Sequence, residues 1–279
     1  MISSKLDFLR LRSTLGAHLS RATVHAPFVE PLRLDYRASS RHLQCRDKSR
    51  RRLYEIELCE GPPVGGIALA ELVNPKSDTI HVLDLGSGSG IIAIAMAAKG
   101  CASVLAVDLS ERDCRLTLRN VRRNRMEHTI DVLCGDLAYA LTNRTFDIIV
   151  SSPPQLPTKS SKPDIRNFAG PTGYEAIDKI MAQSKACLTS DGELWLYVLG
   201  FLGVVSPTGS LPSLFDRLRM FGFHPRVERK LKRKYSQDTN IQEALPVIQD
   251  LYPFSDIARN FPEAGYYEAF VICASQQAH

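Results

Sequence analysis

From about residue 79 onward, short apolar runs alternate with longer stretches of mixed apolar and polar residues. Each run is long enough for one β-strand, and each stretch between runs is long enough for a helix. Apolar strands that alternate with helices are typical of a parallel sheet covered on both faces. The predicted strands span residues 81–85, 103–107, 129–134, 146–151 and 193–198.

Helical periodicity fills the gaps between these strands and continues after them. The predicted helices span residues 91–99, 111–125, 174–188 and 211–221. Two further strands, predicted at 226–235 and 267–274, bring the number to seven. The pattern therefore predicts an α/β fold with a seven-stranded, doubly wound sheet.

The first 74 residues follow a less regular pattern. Leucines near helical spacing predict an amphipathic helix over residues 1–19, which we interpret as a docking helix, with a transit peptide as the alternative. Residues 24–34 and 52–59 are predicted strands on either side of a polar, arginine-rich connection, and an apolar helix follows at 67–73. We expect residues 1–74 to form an arm or lid over the substrate and residues 75–279 to form the main domain.

A long insertion separates the last two predicted strands. Residues 236–265 contain Pro246, Pro253 and Pro262, and these predict a segment broken into short pieces. Long insertions in compact folds are more often functional than not. We therefore expect this segment to help the N-terminal arm cover a pocket and define the substrate.

Candidate chemistry begins where the first strand of the main domain ends. The strand runs through Asp84 into Gly86, Ser87, Gly88, Ser89 and Gly90. Glycines at alternate positions allow a sharp turn and a close approach to a ligand, and the following helix offers free amide groups. The spacing is Gly-x-Gly-x-Gly and not the dinucleotide pattern Gly-x-Gly-x-x-Gly. Asp84 would repel a pyrophosphate but suits the ammonium end of a methionine moiety. A purely structural turn is the alternative.

Two more acidic residues follow the next two strands. Asp108, with Leu109 after it, ends the second strand about twenty residues beyond the glycines, a position from which a carboxylate can accept both ribose hydroxyls. Asp136 and Leu137 follow the third strand, where we predict contact with an adenine amino edge. An ordinary turn is the alternative for Asp136.

The fourth strand ends in a rigid loop of Ser152, Pro153, Pro154 and Gln155. Two prolines fix the backbone and stop the strand from continuing. A backbone carbonyl beside them has no competing local amide, so it can accept an N–H from an incoming amine or amide. Correct placement of a nucleophile can supply roughly 7–11 kcal/mol of a reaction barrier. The alternative is a loop that only leads the chain out of the strand.

Taken together, the glycine loop, Asp108, Asp136 and the Ser152–Gln155 loop resemble class I S-adenosylmethionine-dependent methyltransferases of the Asn-Pro-Pro-Tyr group, specifically the HemK-like protein-glutamine N-methyltransferases. Residues 106–110 and 170–177 add to the resemblance, which covers about residues 61–200. It implies a Rossmann-like methyltransferase sheet and S-adenosylmethionine as the cofactor. It also implies catalytic roles for Ser152, Pro153, Pro154 and Gln155, with Ser152 also near the cofactor.

Two departures from that group bear on the acceptor. Ser152 replaces its asparagine and Gln155 replaces its aromatic ring, whose stacking is worth ~1–3 kcal/mol per base. We therefore expect N-methylation of a small metabolite, such as an amino-acid, amide or guanidine group that Gln155 could bind, or of a protein side chain. An RNA base methyltransferase and a catalytically degraded binding module are the alternatives.

Amino-acid composition says more about the cellular location and the partners of the protein than about its reaction. The 279 residues are 44% hydrophobic with a net charge of +5, which permits an acidic partner without requiring one. Seven cysteines without paired spacing predict reduced thiols, a cytoplasmic location and no zinc site. No apolar run approaches a membrane span, so no membrane partner is expected.

Basic clusters at 50–52, 122–123 and 229–234 are solvated surface or, as the alternative, an RNA-contacting face. The oligomeric state stays open.

Overall fold

A seven-stranded, mostly parallel sheet dominates the fold. The computed structural model describes residues 34–38, 42–47, 53–59, 63–136, 144–234, 239–261 and 265–276. A separate small sheet comes first along the chain and consists of β1 (Leu34–Ala38), β2 (His42–Asp47) and β3 (Leu53–Glu57). The strands of the large sheet are β4 (His81–Leu85), β5 (Ser103–Asp108), β6 (Ile130–Cys134), β7 (Phe146–Ser151), β8 (Leu188–Leu199), β9 (His224–Lys234) and β10 (Tyr266–Ser275). Their order is β6-β5-β4-β7-β8-β10-β9. The predicted α/β fold with a seven-stranded sheet is confirmed.

Packing divides the chain into two compact units, residues 1–136 and 137–279. In the first, β4, β5 and β6 pair in parallel. Its helices are α1 (Val64–Leu72), α2 (Ile91–Ala98) and α3 (Glu111–Arg123). Helix α2 is apolar nearly throughout and almost wholly buried, whereas α3 is amphipathic and keeps its arginines on the outside. The predicted boundary at residue 74 and the lid role of residues 1–74 stay predictions.

The small sheet lies in the N-terminal part of the first unit. It consists of β1 (Leu34–Ala38), β2 (His42–Asp47) and β3 (Leu53–Glu57), paired antiparallel in chain order. The expectation of just two strands, at 24–34 and 52–59, on either side of a polar, arginine-rich connection is wrong here, because β1 and β2 occupy much of that connection. Along β2, Leu43 and Cys45 are buried while His42 and Gln44 are exposed, so its polar residues form the outer face of a strand. The predicted helix at 1–19 and most of the predicted strand at 24–34 lie outside the described residues.

The second unit contains the remaining four strands of the large sheet. Strands β7 and β8 are parallel, while β10 runs antiparallel to both β8 and β9. Its helices are α4 (Glu175–Cys187), α5 (Leu214–Met220), α6 (Thr239–Leu251) and α7 (Asp256–Asn260). Serine hydroxyls cap the N-termini of α5 and α7 by accepting backbone amides.

The insertion between β9 and β10 is more ordered than its prolines suggested. Pro246 lies inside α6 and does not end it, so the expectation of a broken segment is wrong there. A proline removes one backbone hydrogen bond from a helix, but α6 buries Ile241, Ala244 and Ile248 on one face, and this packing offsets the loss. In the described ranges, no helix is both long enough and apolar enough to cross a membrane.

Candidate active site

The turn after β4, residues 86–90, is the glycine loop. The backbone amides of Gly86 and Ser87 both donate to the carbonyl of Val107 on the neighbouring strand, at 2.8 and 3.0 Å. Gly86, Gly88 and Gly90 all have a positive φ, between 54° and 77°, a conformation that costs other residues energy. A Cβ built on Gly86 or Gly88 would meet no atom within 4 Å. These two glycines therefore face open space that a ligand can occupy.

Helix α3 supports the glycine loop from the other side. The hydroxyl of Thr117 donates to the carbonyl of Gly88 at 2.8 Å, and a Cβ on Gly90 would lie 2.8 Å from the Thr117 methyl group. Gly90 is thus required by packing as well as by its φ, and it begins α2. The side chain of Ser87 is buried and lies 3.4 Å from the Thr117 hydroxyl.

Asp84 is the most deeply buried acid near the loop. Its Oδ2 accepts the amide of Ala93 in α2 at 3.1 Å, while its Oδ1 has no hydrogen-bond partner among the described residues. Burial raises the pKa of Asp84 to about 7, with a smaller contribution in the same direction from Asp108. A cation placed at Oδ1 would stabilise the charged carboxylate. The contact with an ammonium group stays a prediction, and the unpartnered Oδ1 is the atom that would make it.

Asp108 ends β5 and ties the glycine loop to that strand. Its Oδ2 accepts the amide of Gly88 at 2.8 Å, and its Oδ1 accepts the amide of Ser110 at 2.9 Å. Burial raises the pKa of this carboxyl, and the two amides oppose the shift. The bonds fix the orientation of the side chain and leave each oxygen one more lone pair, as the predicted contact with two ribose hydroxyls requires.

The other predicted cofactor contacts are less sharply defined. Leu109 follows Asp108 and is 56% exposed, so its side chain is available as a platform. Asp136 is half-buried beyond the end of β6, where the amide of Gly135 donates to the carbonyl of Asp108 at 2.9 Å. Leu137 lies outside the described residues. The structure thus brings Asp84, the glycine loop and Asp108 together.

Asn120 on α3 and Asn124, the residue that caps the C-terminus of α3, are supporting residues that the sequence analysis missed. The Asn120 amide donates to the carbonyls of Ser89 and Glu57 and accepts the amide of Glu57. Asn124 forms the same two-way pair with the backbone of Glu55. Both side chains are buried, so α3 joins strand β3 to the glycine loop. Their signal in the sequence was a pair of amides four residues apart on the helix's apolar side.

Residues 152–155, which we call the acceptor loop, follow β7 in the second unit. Ser152 and Pro154 are half-buried, whereas Pro153 and Gln155 are buried. The Gln155 amide donates to the carbonyls of Tyr197 and Pro153, at 3.0 and 3.2 Å, and accepts the amide of Leu199 at 2.7 Å. The expectation that no local amide competes for the Pro153 carbonyl is therefore wrong, because Gln155 already occupies one of its lone pairs.

The polypeptide before α4 lies directly against the acceptor loop. Leu156 forms a β-bridge with Phe168, and the amides of Gln155 and Leu156 both donate to the carbonyl of Asn167. Gly173 has a φ of 83°, and a Cβ there would lie 2.3 Å from the Gln155 carbonyl oxygen. The glycine-rich lead into α4 is therefore a close-packed support for this loop.

Comparison with known proteins gives a consistent family. The methyltransferase small domain family matches residues 64–221, more than half of the chain. The tRNA1(Val) (adenine(37)-N6)-methyltransferase of Glaesserella parasuis is 34% identical over 46% of this chain and 55% of its own length. The release factor glutamine methyltransferase of Lactococcus lactis is 31% identical over 46% and 50%. These matches confirm the predicted resemblance, although the chain spans about half the length of these curated relatives.

Among solved structures, the YcgJ protein from Bacillus subtilis superposes with a TM-score of 0.51. The sequences are 14% identical, and the match covers 76% of this chain and 98% of that one. At this identity the similarity concerns the fold alone.

Proposed function

Because the chain belongs to the methyltransferase small domain family, we propose that it transfers a methyl group from S-adenosylmethionine to a nitrogen atom of its acceptor. The observation that carries this proposal is the buried Asp84 with one unpartnered oxygen beside glycines that face open space. Such a site suits a ligand with both a cationic amino-acid end and a polar nucleoside end.

In this proposal, four features of the first unit hold the cofactor. Asp84 accepts the methionine ammonium, Gly86 and Gly88 allow close approach of the backbone, and Asp108 accepts the ribose hydroxyls with its remaining lone pairs. Asp136 contacts the adenine edge, with Leu109 beside the ring. The bound cofactor supplies an electrophilic methyl group on a positively charged sulfur, a leaving group that needs no acid.

The acceptor loop binds and orients the nitrogen. The second lone pair of the Pro153 carbonyl and the Ser152 hydroxyl are the groups available to accept its N–H bonds. Gln155 acts as a positioning residue, since its amide is bonded to β8 and to Pro153. Fixing the nitrogen in line with the methyl group accounts for most of the expected acceleration, since proximity and orientation are worth roughly 7–11 kcal/mol.

The named acceptors of the relatives support a planar nitrogen. Glutamine amide and adenine N6 both carry an NH₂ group in the plane of a conjugated system, and both can donate N–H to a carbonyl. A metabolite with an amide or guanidine group has the same local chemistry. Residues 1–74 and 236–265 are the proposed determinants of which acceptor enters.

The cytoplasm is the proposed location of the reaction. The structure describes all seven cysteines, and none of them forms a disulfide, as is usual in a reducing compartment.

Calorimetry with S-adenosylmethionine and with its demethylated product tests the proposal first. Binding of both is expected, and a protein that binds neither contradicts it. Transfer of a radiolabelled methyl group to candidate proteins, tRNA and small amides then tests catalysis. Pro154→Ala should leave cofactor affinity unchanged and slow transfer, because the loop loses a fixed φ. Cofactor binding without transfer to any nitrogen acceptor would favour the binding-module alternative.

A further inference from the structure

The edge strand β9 carries a dense array of positive charge. Its last six residues, 229–234, include five cations and no acid. Among the described residues, β9 lies at the end of the large sheet and pairs with β10. The side chains of Lys230, Lys232 and Lys234, which we call the lysine row, are exposed. An exposed edge with this charge is well suited to a polyanion.

The lysine row lies on one face of the sheet. Lys230 pairs across the strands with Phe270, Lys232 with Glu268 and Lys234 with Tyr266. Alternate residues of a strand point to the same side and are spaced about 6.8 Å apart, which is comparable to the separation of successive phosphates along a nucleic acid strand. Glu268 is the acid on this face of β10, and it forms an ion pair with Lys230 at 2.5 Å. Lys232 and Lys234 extend the positive charge beyond that pair.

Aromatic rings are interleaved with these cations. The ammonium of Lys230 lies 5.7 Å from the Phe270 ring centroid, and that of Lys234 lies 6.0 Å from Tyr266, which is itself 46% exposed. Rings and cations arranged together on one strand pair offer both stacking and phosphate contacts, the two components of single-stranded nucleic acid binding.

A cavity of about 260 Å³ adjoins the row on the same unit. Its lining includes Glu268 and Phe270, the two residues that contact Lys230, together with Phe201, Phe254 and Gly200. Phe254 is 62% exposed, which is unusual for so large an apolar side chain. The volume lies just below the ~300–1,000 Å³ of pockets for drug-sized ligands. It therefore suits one flat ring system.

The cavity begins where the acceptor loop is anchored. Gln155 is bonded to the amide of Leu199, the last residue of β8, and Gly200 is the next residue along the chain. A Cβ on Gly200 would lie about 3 Å from both Glu268 and Phe270. The acceptor loop, the cavity and the lysine row thus follow one another along β8, β10 and β9.

We propose that these features bind a single-stranded segment of RNA that carries the methylated nitrogen. Phosphates contact the lysine row, and an unstacked base enters the cavity against Phe254. The second carboxylate oxygen of Glu268, whose Oε1 pairs with Lys230, accepts from the amino groups of the base. This inference rests on the proposed function and specifies the acceptor as a nucleotide. In this proposal Phe254 takes over the stacking role of the aromatic ring that Gln155 replaces in the acceptor loop.

Fluorescence anisotropy with a short single-stranded RNA of mixed sequence tests the surface. The triple variant Lys230→Gln, Lys232→Gln, Lys234→Gln should bind about 100-fold more weakly at roughly 0.1 M salt, and the slope of log affinity against log salt should fall by about 2, because each phosphate contact contributes about 0.7. The matched control is Arg112→Gln, Arg115→Gln, Arg122→Gln, which removes the same charge from exposed positions of α3. It should bind as wild type does.

Three results would overturn the inference. The first is equal loss of affinity in both triple variants. The second is displacement of the RNA by polyglutamate at an equal charge concentration, which would indicate a general anion surface. The third is a wild-type protein that binds S-adenosylmethionine but no RNA, which leaves the proposed function intact and points to a protein or small-molecule acceptor. If the protein bound RNA through the lysine row but did not bind the cofactor, the result would support the RNA-binding surface and contradict the proposed function.

Phe254→Ala tests the cavity separately from the charge. Loss of one stacking contact should weaken RNA binding roughly 30-fold, corresponding to the middle of the range for base stacking. The salt slope should stay unchanged because no phosphate contact is removed. Phe254→Trp should keep wild-type affinity or exceed it. Unchanged affinity in Phe254→Ala would remove the cavity from the RNA site.

Discussion

The glycine loop and the acceptor loop reach a fixed geometry by different means. The glycine loop is held through its backbone, with amides bonded to Val107 and Asp108 and three residues in the left-handed region. The acceptor loop has backbone bonds to Asn167 as well, but it depends mainly on one buried side chain, Gln155, and on the close approach of Gly173. A loop defined by backbone conformation leaves room for a ligand, whereas a loop defined by side-chain packing is rigid without one.

The variants Gly173→Ala and Gly88→Ala should lose different amounts of stability, because the two loops are held in different ways. Both positions have a positive φ, which costs about 1–2 kcal/mol for alanine. At Gly173 the new Cβ also meets the Gln155 carbonyl, and such overpacking adds about 1–3 kcal/mol. Thermal or urea unfolding should therefore show a loss of about 4 kcal/mol for Gly173→Ala and less than half of that for Gly88→Ala.

Cofactor affinity should respond in the opposite order. Gly88→Ala fills space that we assign to the ligand, so calorimetry should detect much weaker S-adenosylmethionine binding. Gly173→Ala, assayed at a temperature where it is folded, should bind the cofactor normally but transfer methyl slowly. Equal stabilities of the two variants would contradict the packing of Gly173.

Gln155→Ala should destabilise the acceptor loop by removing the hydrogen bonds of the Gln155 side chain. The change leaves the Leu199 amide and the Tyr197 and Pro153 carbonyls without their partner, and each buried unpaired group costs about 1–3 kcal/mol. We expect a loss of about 3 kcal/mol in urea unfolding. The control Gln249→Ala, at an exposed position of α6, should stay within about 0.5 kcal/mol of wild type. A neutral effect at Gln155 would mean that the loop is held by other contacts.

Asp108→Asn should weaken cofactor binding about 100-fold, since it removes charge-assisted hydrogen bonds worth about 1.5–3 kcal/mol each. An asparagine also presents an NH₂ group to the amide of Gly88 or Ser110, where the carboxylate accepted both. Calorimetry measures the loss, and Asp131→Asn on the exposed side of β6 is the control. Unchanged affinity would remove Asp108 from the site.

The smallest effect concerns pH and Asp84. Because its pKa is raised to about 7, the free protein should lose stability as the pH rises from about 4 through 7, where the folded state holds the proton more tightly than the unfolded chain. Binding of an ammonium requires the carboxylate, so S-adenosylmethionine affinity should rise roughly tenfold between about pH 6 and pH 8. In Asp84→Asn this rise should disappear. A persistent rise would assign the titration to another group, such as Asp108.

Local sequence determined the framework of the sheet and the glycine loop. Strands β4 and β7 lie where the apolar runs predicted them, at residues 81–85 and 146–151. Glycines at alternate positions predict the loop, because only glycine adopts a positive φ at little cost in energy. Because backbone conformation depends on the residues at that position, it can be predicted from the local sequence.

Tertiary structure decided what the side chains do. Gln155 looked like a group for the substrate, but its amide is bonded to β8, some 42 and 44 positions along the chain. Pro246 looked like a helix breaker, but packing of α6 carries the helix through it. Asn120 joins α3 to β3 and to the glycine loop. Such roles depend on which strand or helix lies opposite, and this is set by the packing of segments distant in sequence.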